Sequence, residues 1–116
     1  MIRKASTLAG CLMLISSAQA ADDLCTVAAN HCKILKEDSK VRVVEFSAQK
    51  GDKIAMHSHP AHVVYLIKAG KTRFSFPDGT TRESSGSSGE ALINPPVTHA
   101  QEHLEDVHVI LVEMKP

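Results

Sequence analysis

The chain has 116 residues, enough for one domain, and its 13 Lys and Arg balance 13 Asp and Glu. No basic stripe or charge run interrupts that balance, which argues against nucleic acid and anionic membrane surfaces as partners. One Tyr, three Phe and no Trp leave Val, Ile, Leu and Met to build the core.

Residues 1–20 read as a secretory signal peptide. Arg3 and Lys4 supply the positive start and Leu8 to Ile15 an apolar stretch too short to span a bilayer. Ala18-Gln19-Ala20 has the small-x-small pattern of a cleavage site. A rival reading takes Leu8-Ala9-Gly10-Cys11 as a lipobox that acylates Cys11, but it leaves hardly any room for an apolar segment before it. Cleavage after Ala20 is the expectation, with a periplasmic or secreted product. Losing Arg3 and Lys4 lowers the basic count from 13 to 11 against 13 acidic residues, a formal charge of −2.

Two cysteines then remain, Cys25 and Cys32. In an exported chain such a pair reads as a disulfide tying down an N-terminal arm, the alternative being two free thiols. The nearby sequence offers too few ligands for a structural metal site. Residues 21–40 are expected to form this arm and a first strand, and 41–116 the main domain.

From Cys32 onward, short apolar runs alternate with turn signals at intervals of about 8–12 residues, which predicts an all-β fold. Lys33 to Lys36 and Val41 to Phe46 flank a polar turn and read as a hairpin. Lys53 to His59 follows the turn Gln49-Lys50-Gly51-Asp52. Val63 to Lys68 is a continuous apolar strand. Thr72 to Phe76 leads into Pro77-Asp78-Gly79, where Pro presets φ and Gly accepts a positive φ, and Thr80 to Glu83 returns. Ser84 to Gly89 reads as a loop. Ala91 to Asn94, Thr98 to His103 and Val107 to Met114 complete the strands, and no helical period is convincing beyond a turn near Ala28.

Histidines carry the chemistry. His57 and His59 are two apart, so on a strand both imidazoles leave the same face, with Cα atoms roughly 6.5 Å apart. Rings at that separation can share a cation at about 2.0–2.1 Å. A His-x-His pair alone is also compatible with a bland edge strand. The second segment, Gly89-x5-Pro95-x3-His99, adds a third histidine just after a proline break. Gln101 and His103 share the strand face of His99. His108 lies between Val107 and Val109 and is expected to face outward. Tyr65 shares a face with Val63 and Ile67, where its hydroxyl either reaches a pocket or is satisfied in the core. Met56 reads as packing.

Together, Gly51-x5-His57-x-His59 with Gly70, and Gly89-x5-Pro95-x3-His99, resemble the two signature motifs of the cupin superfamily over about residues 41–114. The resemblance implies a small single-domain cupin, a double-stranded β-helix or jelly-roll barrel with a metal pocket. Three positions depart from the pattern: Val63 stands where the first motif has its Glu ligand, Val97 where the second has Gly, and His103 where the second has Asn. His62, one residue before the vacant Glu slot, becomes a fourth ligand only if the backbone shifts its face inward.

The resemblance thus implies a divalent metal on His57, His59 and His99, with His62 in question and Tyr65, Gln101 and His103 around the pocket. Imidazole ligands suit Fe(II), Mn(II), Ni(II), Cu(II) or Zn(II) and do not choose among them. Without the carboxylate the site is more positive than the family's usual set, which favours an anionic ligand. Two readings follow. One is a metal-dependent enzyme of oxygenase, isomerase or lyase type acting on a small organic acid, sugar or diketone. The other is a small-molecule or metal-binding module without turnover, favoured by the lack of an evident general base. The modest core of so small a domain also gives a reason to expect a homodimer.

Overall fold

The structure, a computed structural model, describes residues 21–116, so the expected signal segment and Cys11 lie outside the described residues. Nine strands follow a short N-terminal arm: β1 (Cys32–Glu37), β2 (Val41–Ala48), β3 (Lys53–His59), β4 (His62–Lys68), β5 (Lys71–Ser75), β6 (Thr81–Ser85), β7 (Ala91–Asn94), β8 (Val97–His103) and β9 (Val107–Met114). They form two antiparallel sheets, one in the order β1-β2-β9-β4-β7 and the other β3-β8-β5-β6. Apart from the β1–β2 and β5–β6 hairpins, consecutive strands cross between sheets, as in the double-stranded β-helix that the motifs imply.

Local chemistry sets the turns. Between β1 and β2 the Asp38 carboxylate accepts the backbone N–H groups of Lys40 and Val41 at 2.7 and 2.9 Å, an Asx-type turn. Between β5 and β6, Gly79 takes φ +89° while Asp78 accepts from the Thr80 backbone at 3.0 Å. Gly70 has a different reason to be glycine: a Cβ there would collide with the Asp106 carbonyl. That close approach lets the β4–β5 turn pass under the loop before β9.

The arm is part of the barrel. Its one-turn helix α1 (Leu24–Val27) is capped by Asp23, whose carboxylate accepts from Cys25 N at 3.2 Å. Ser58 N–H donates to the Asp22 carbonyl at 2.8 Å, pinning the arm to β3. Cys25 and Cys32 are joined in a disulfide with Cα atoms 5.6 Å apart, so the arm closes onto the start of β1. Leu24 is thereby buried against the interior.

Core residues come chiefly from the five-stranded sheet: Val44, Phe46 and Ala48 of β2, Leu66 of β4, and Val107, Val109 and Leu111 of β9. Strict alternation on β9 buries residues 107, 109, 111 and 113. Phe46 is in this core and, among the described residues, no methionine is, which corrects the expectation from composition. Met56, expected to pack, is instead among the exposed apolar residues. The thioether faces out because its neighbours His57 and Ile54 take the inward positions on an irregular stretch of β3.

Candidate metal centre

Three histidines meet inside the barrel because β3 and β8 are register partners. His57 lies directly opposite His99, and His59 opposite Val97. One ring nitrogen from each of His57, His59 and His99 lies within 4.8 Å of the other two. The ring centroids are 4.9 to 5.2 Å apart, and all three residues are buried.

Two of the three rings are held for coordination by hydrogen bonds. The Nδ1–H of His57 donates to the Ala55 carbonyl at 2.8 Å, and that of His59 donates to the Glu113 carboxylate at 2.9 Å. In both cases the proton on Nδ1 leaves the Nε2 lone pair available. The Nε2 atoms of His57 and His99 are buried with no hydrogen-bond partner among the described residues. Burial lowers the His57 pKa and pushes His99 down to about 3, helped by the neighbouring histidines and Arg82. His57 and His99 are thus neutral at ordinary pH, and no proton need leave either ring before a metal binds. Orphaned, neutral, convergent imidazoles fit a divalent cation.

Glu113 is the residue that sequence reasoning missed. It is 2 % exposed, yet charged neighbours satisfy it: besides His59, Arg42 donates to it from Nε at 3.2 Å and Nη2 at 2.9 Å. Burial would raise its carboxyl, but the hydrogen bonds from His59 and Arg42 outweigh this and lower its pKa. Arg42 in turn binds Asp23 of the arm at 2.9 Å. A signal was present, since Glu113 sits in the inward register of Val107, Val109 and Leu111.

His62 faces the interior from the first position of β4 and is buried. Its ring stacks on His59 with centroids 4.6 Å apart. Its Nδ1–H donates to the Pro60 carbonyl at 2.8 Å, and its Nε2 lies 3.4 Å from Asn94 Nδ2. One register row thus runs Arg42, Glu113, His62, Asn94 across the five-stranded sheet.

A cavity of about 460 Å³ opens from this cluster, lined on one side by His99, Gln101 and His103 of β8 and on the other by Val64, Leu66, Val109 and Leu111. Tyr65 does not line it. That residue is 45 % exposed, because His62, Val64 and Leu66 take the inward face of β4 and leave Val63, Tyr65 and Ile67 outside. His108 also faces outward, paired with Glu45 at 2.6 Å.

No family model and no curated protein matches the sequence. Solved structures do match the fold. A cupin domain from Bordetella pertussis Tohama I aligns over 86 % of this chain and all of its own, with a TM-score of 0.65 at 17 % identity. A cupin superfamily protein from Desulfitobacterium hafniense aligns over 73 % of this chain and 76 % of its own, with a TM-score of 0.57 at 14 % identity. An RmlC-like cupin protein from Desulfovibrio desulfuricans covers 92 % and 97 %, with a TM-score of 0.54 at 14 % identity. The chain is a small cupin-fold protein. Among the described residues no helix is long and apolar enough to cross a membrane.

Proposed function

We propose that this chain is a metal-dependent cupin-fold protein in which His57, His59 and His99 hold one divalent cation and a small organic acid binds beside it. The observation that carries the proposal is the buried convergence of three imidazoles, two of which, His57 and His99, have unpartnered Nε2 atoms. When bound, such a cation supplies Lewis acidity and, if redox-active, dioxygen chemistry.

The chain's own residues supply the rest. Glu113 keeps the His59 proton on Nδ1 and so aims its other nitrogen inward. Phe74 and Phe76 lie 4.7 and 6.2 Å from the His99 ring and shield it from water. Three neutral ligands leave the cation's charge uncompensated, which favours an anion in the open positions. Arg82 lines the same cavity with its guanidinium 5.6 Å over the Phe76 ring, and no ion pair among the described residues engages it. Both features support a carboxylate-bearing ligand.

Binding without turnover is the second reading. Its support is that the inward carboxylate, Glu113, is already engaged by His59 and Arg42, while Glu90 accepts from Ser87 N at 3.1 Å. Neither is free to act as a general base.

Export to the periplasm or medium belongs to the proposal, supported by the N-terminal sequence and the Cys25–Cys32 disulfide. So does a homodimer. Val43, Val112, Val63 and Ile93 line up across the outer face of the five-stranded sheet, and Ile93 is 84 % exposed. Elemental analysis after aerobic and anaerobic purification should find one divalent metal per chain, and oxygen uptake with small organic acids then separates enzyme from binder. Protein that takes up no divalent metal under either condition overturns the metal reading.

A further inference from the structure

The cavity has a second polar end that the metal reading does not use. His103 is 1 % exposed and lines the cavity, and its Nε2 has no hydrogen-bond partner among the described residues. Gln101, two residues before it on the same face of β8, has an equally buried and unpartnered Oε1. Two buried polar atoms left open on one strand face cost free energy unless something fills them.

Thr72 decides what His103 offers. Its hydroxyl is buried and lies 3.1 Å from His103 Nδ1, its only hydrogen-bond partner among the described residues. A hydroxyl in that position satisfies its own proton by donating to Nδ1, which makes Nδ1 the acceptor and puts the ring proton on Nε2. The far end of the cavity therefore presents one donor, His103 Nε2–H, beside one acceptor, Gln101 Oε1. With Gln101 Oε1 facing inward, a carboxylate uses only the donor and meets the lone pairs of Gln101, and an ammonium uses only the acceptor. A neutral hydroxyl uses both.

From this, the geometry points to an elongated ligand whose acidic head sits at the three-histidine end and whose other end is a hydroxyl held between His103 and Gln101. The inference rests on the proposed metal site for the head, but not for the hydroxyl. Four residue steps along the strand lead from His99 to His103, roughly 13 Å. Allowing about 2 Å for a metal–oxygen bond and about 3 Å for a hydrogen bond leaves roughly 8 Å between the ligand's two ends. The opposite wall is apolar, with Phe46 5.7 Å from the His103 ring, so the connecting body is hydrocarbon.

Zinc-loaded protein titrated calorimetrically with hexanoate, 6-hydroxyhexanoate and adipate tests this. The hydroxy acid should bind about three to ten times more tightly than hexanoate, and adipate no better than hexanoate. His103→Phe and Gln101→Leu should each abolish that preference while zinc stays at one per chain. Equal binding of hexanoate and 6-hydroxyhexanoate, a preference that survives both substitutions, or no binding of any acid to zinc-loaded protein overturns the inference. If the chain takes up neither zinc nor any other divalent metal, the metal reading fails separately. The hydroxyl site is then read on metal-free protein by ¹⁵N NMR of the His103 ring during titration with 1,6-hexanediol. A proton on Nε2 that responds to the diol supports the site, and a proton on Nδ1 or an unmoved ring overturns it.

Discussion

The inner face of the five-stranded sheet buries Val44, Phe46, Leu66, Val109 and Leu111, whereas the four-stranded sheet turns His57, His59, His99, Gln101 and His103 toward the same space. One wall gains free energy by leaving water and the other loses it, because four of its buried polar atoms lack partners. The apolar wall can therefore carry the fold while the polar wall is kept available for a cation and a ligand. The two meet at Glu113, the one carboxylate on the inner face of the apolar sheet, which reaches across to His59.

The sharpest break in this comparison is removal of one histidine from the polar wall. His99→Ala should reduce bound metal from one per chain to almost none while circular dichroism stays that of a folded β-protein. His108→Ala, on the outside, should leave metal content unchanged. His62→Ala discriminates further: retained metal means three histidines suffice, and lost metal means that His62 gives up Asn94 to become a ligand.

An opposite outcome is expected on the apolar wall. Leu111→Ala should destabilise the metal-free protein by about 2–5 kcal/mol in urea unfolding. Metal stoichiometry in the folded fraction should not change. Equal loss of metal and stability in both variants would mean that the division between the sheets is false.

Acid should weaken the metal-free protein through the polar wall. Burial holds His99 at about 3 and His103 at about 4, and lowers His57 as well, so the unfolded chain takes up protons first. Stability is then full above the ordinary imidazole pKa of about 6.5 and is lost as pH falls toward the folded values. The loss should be roughly 1 kcal/mol per pH unit for each of His99 and His103, read as falling urea midpoints between pH 7.5 and 5. Midpoints that stay flat over that range would mean these rings are solvated.

Glu113→Gln is the mildest probe and tests the seam. The amide keeps the shape and can still accept from His59, but it loses the charge. Metal affinity should drop about tenfold, at the low end for such outer partners, as measured by competition with a chelator.

Much of the architecture was legible from period and punctuation. The alternation on β9, the Asp38 and Gly79 turns and the histidine spacings are local properties, written in neighbouring residues and tied to the two-residue period of a strand. So were the shared face of His57 and His59 and that of His99, Gln101 and His103. The tertiary structure decided which of two faces is the inside, because one residue of shift at the turn into a strand reverses every side chain. At Pro60-Ala61 that choice turned His62 inward and left Tyr65 on the surface. Only tertiary structure could bring Glu113 behind His59, 54 residues away, or set Thr72 against His103 across 31. Those partners depend on strand order and register between distant segments, which a repeat of two residues does not encode.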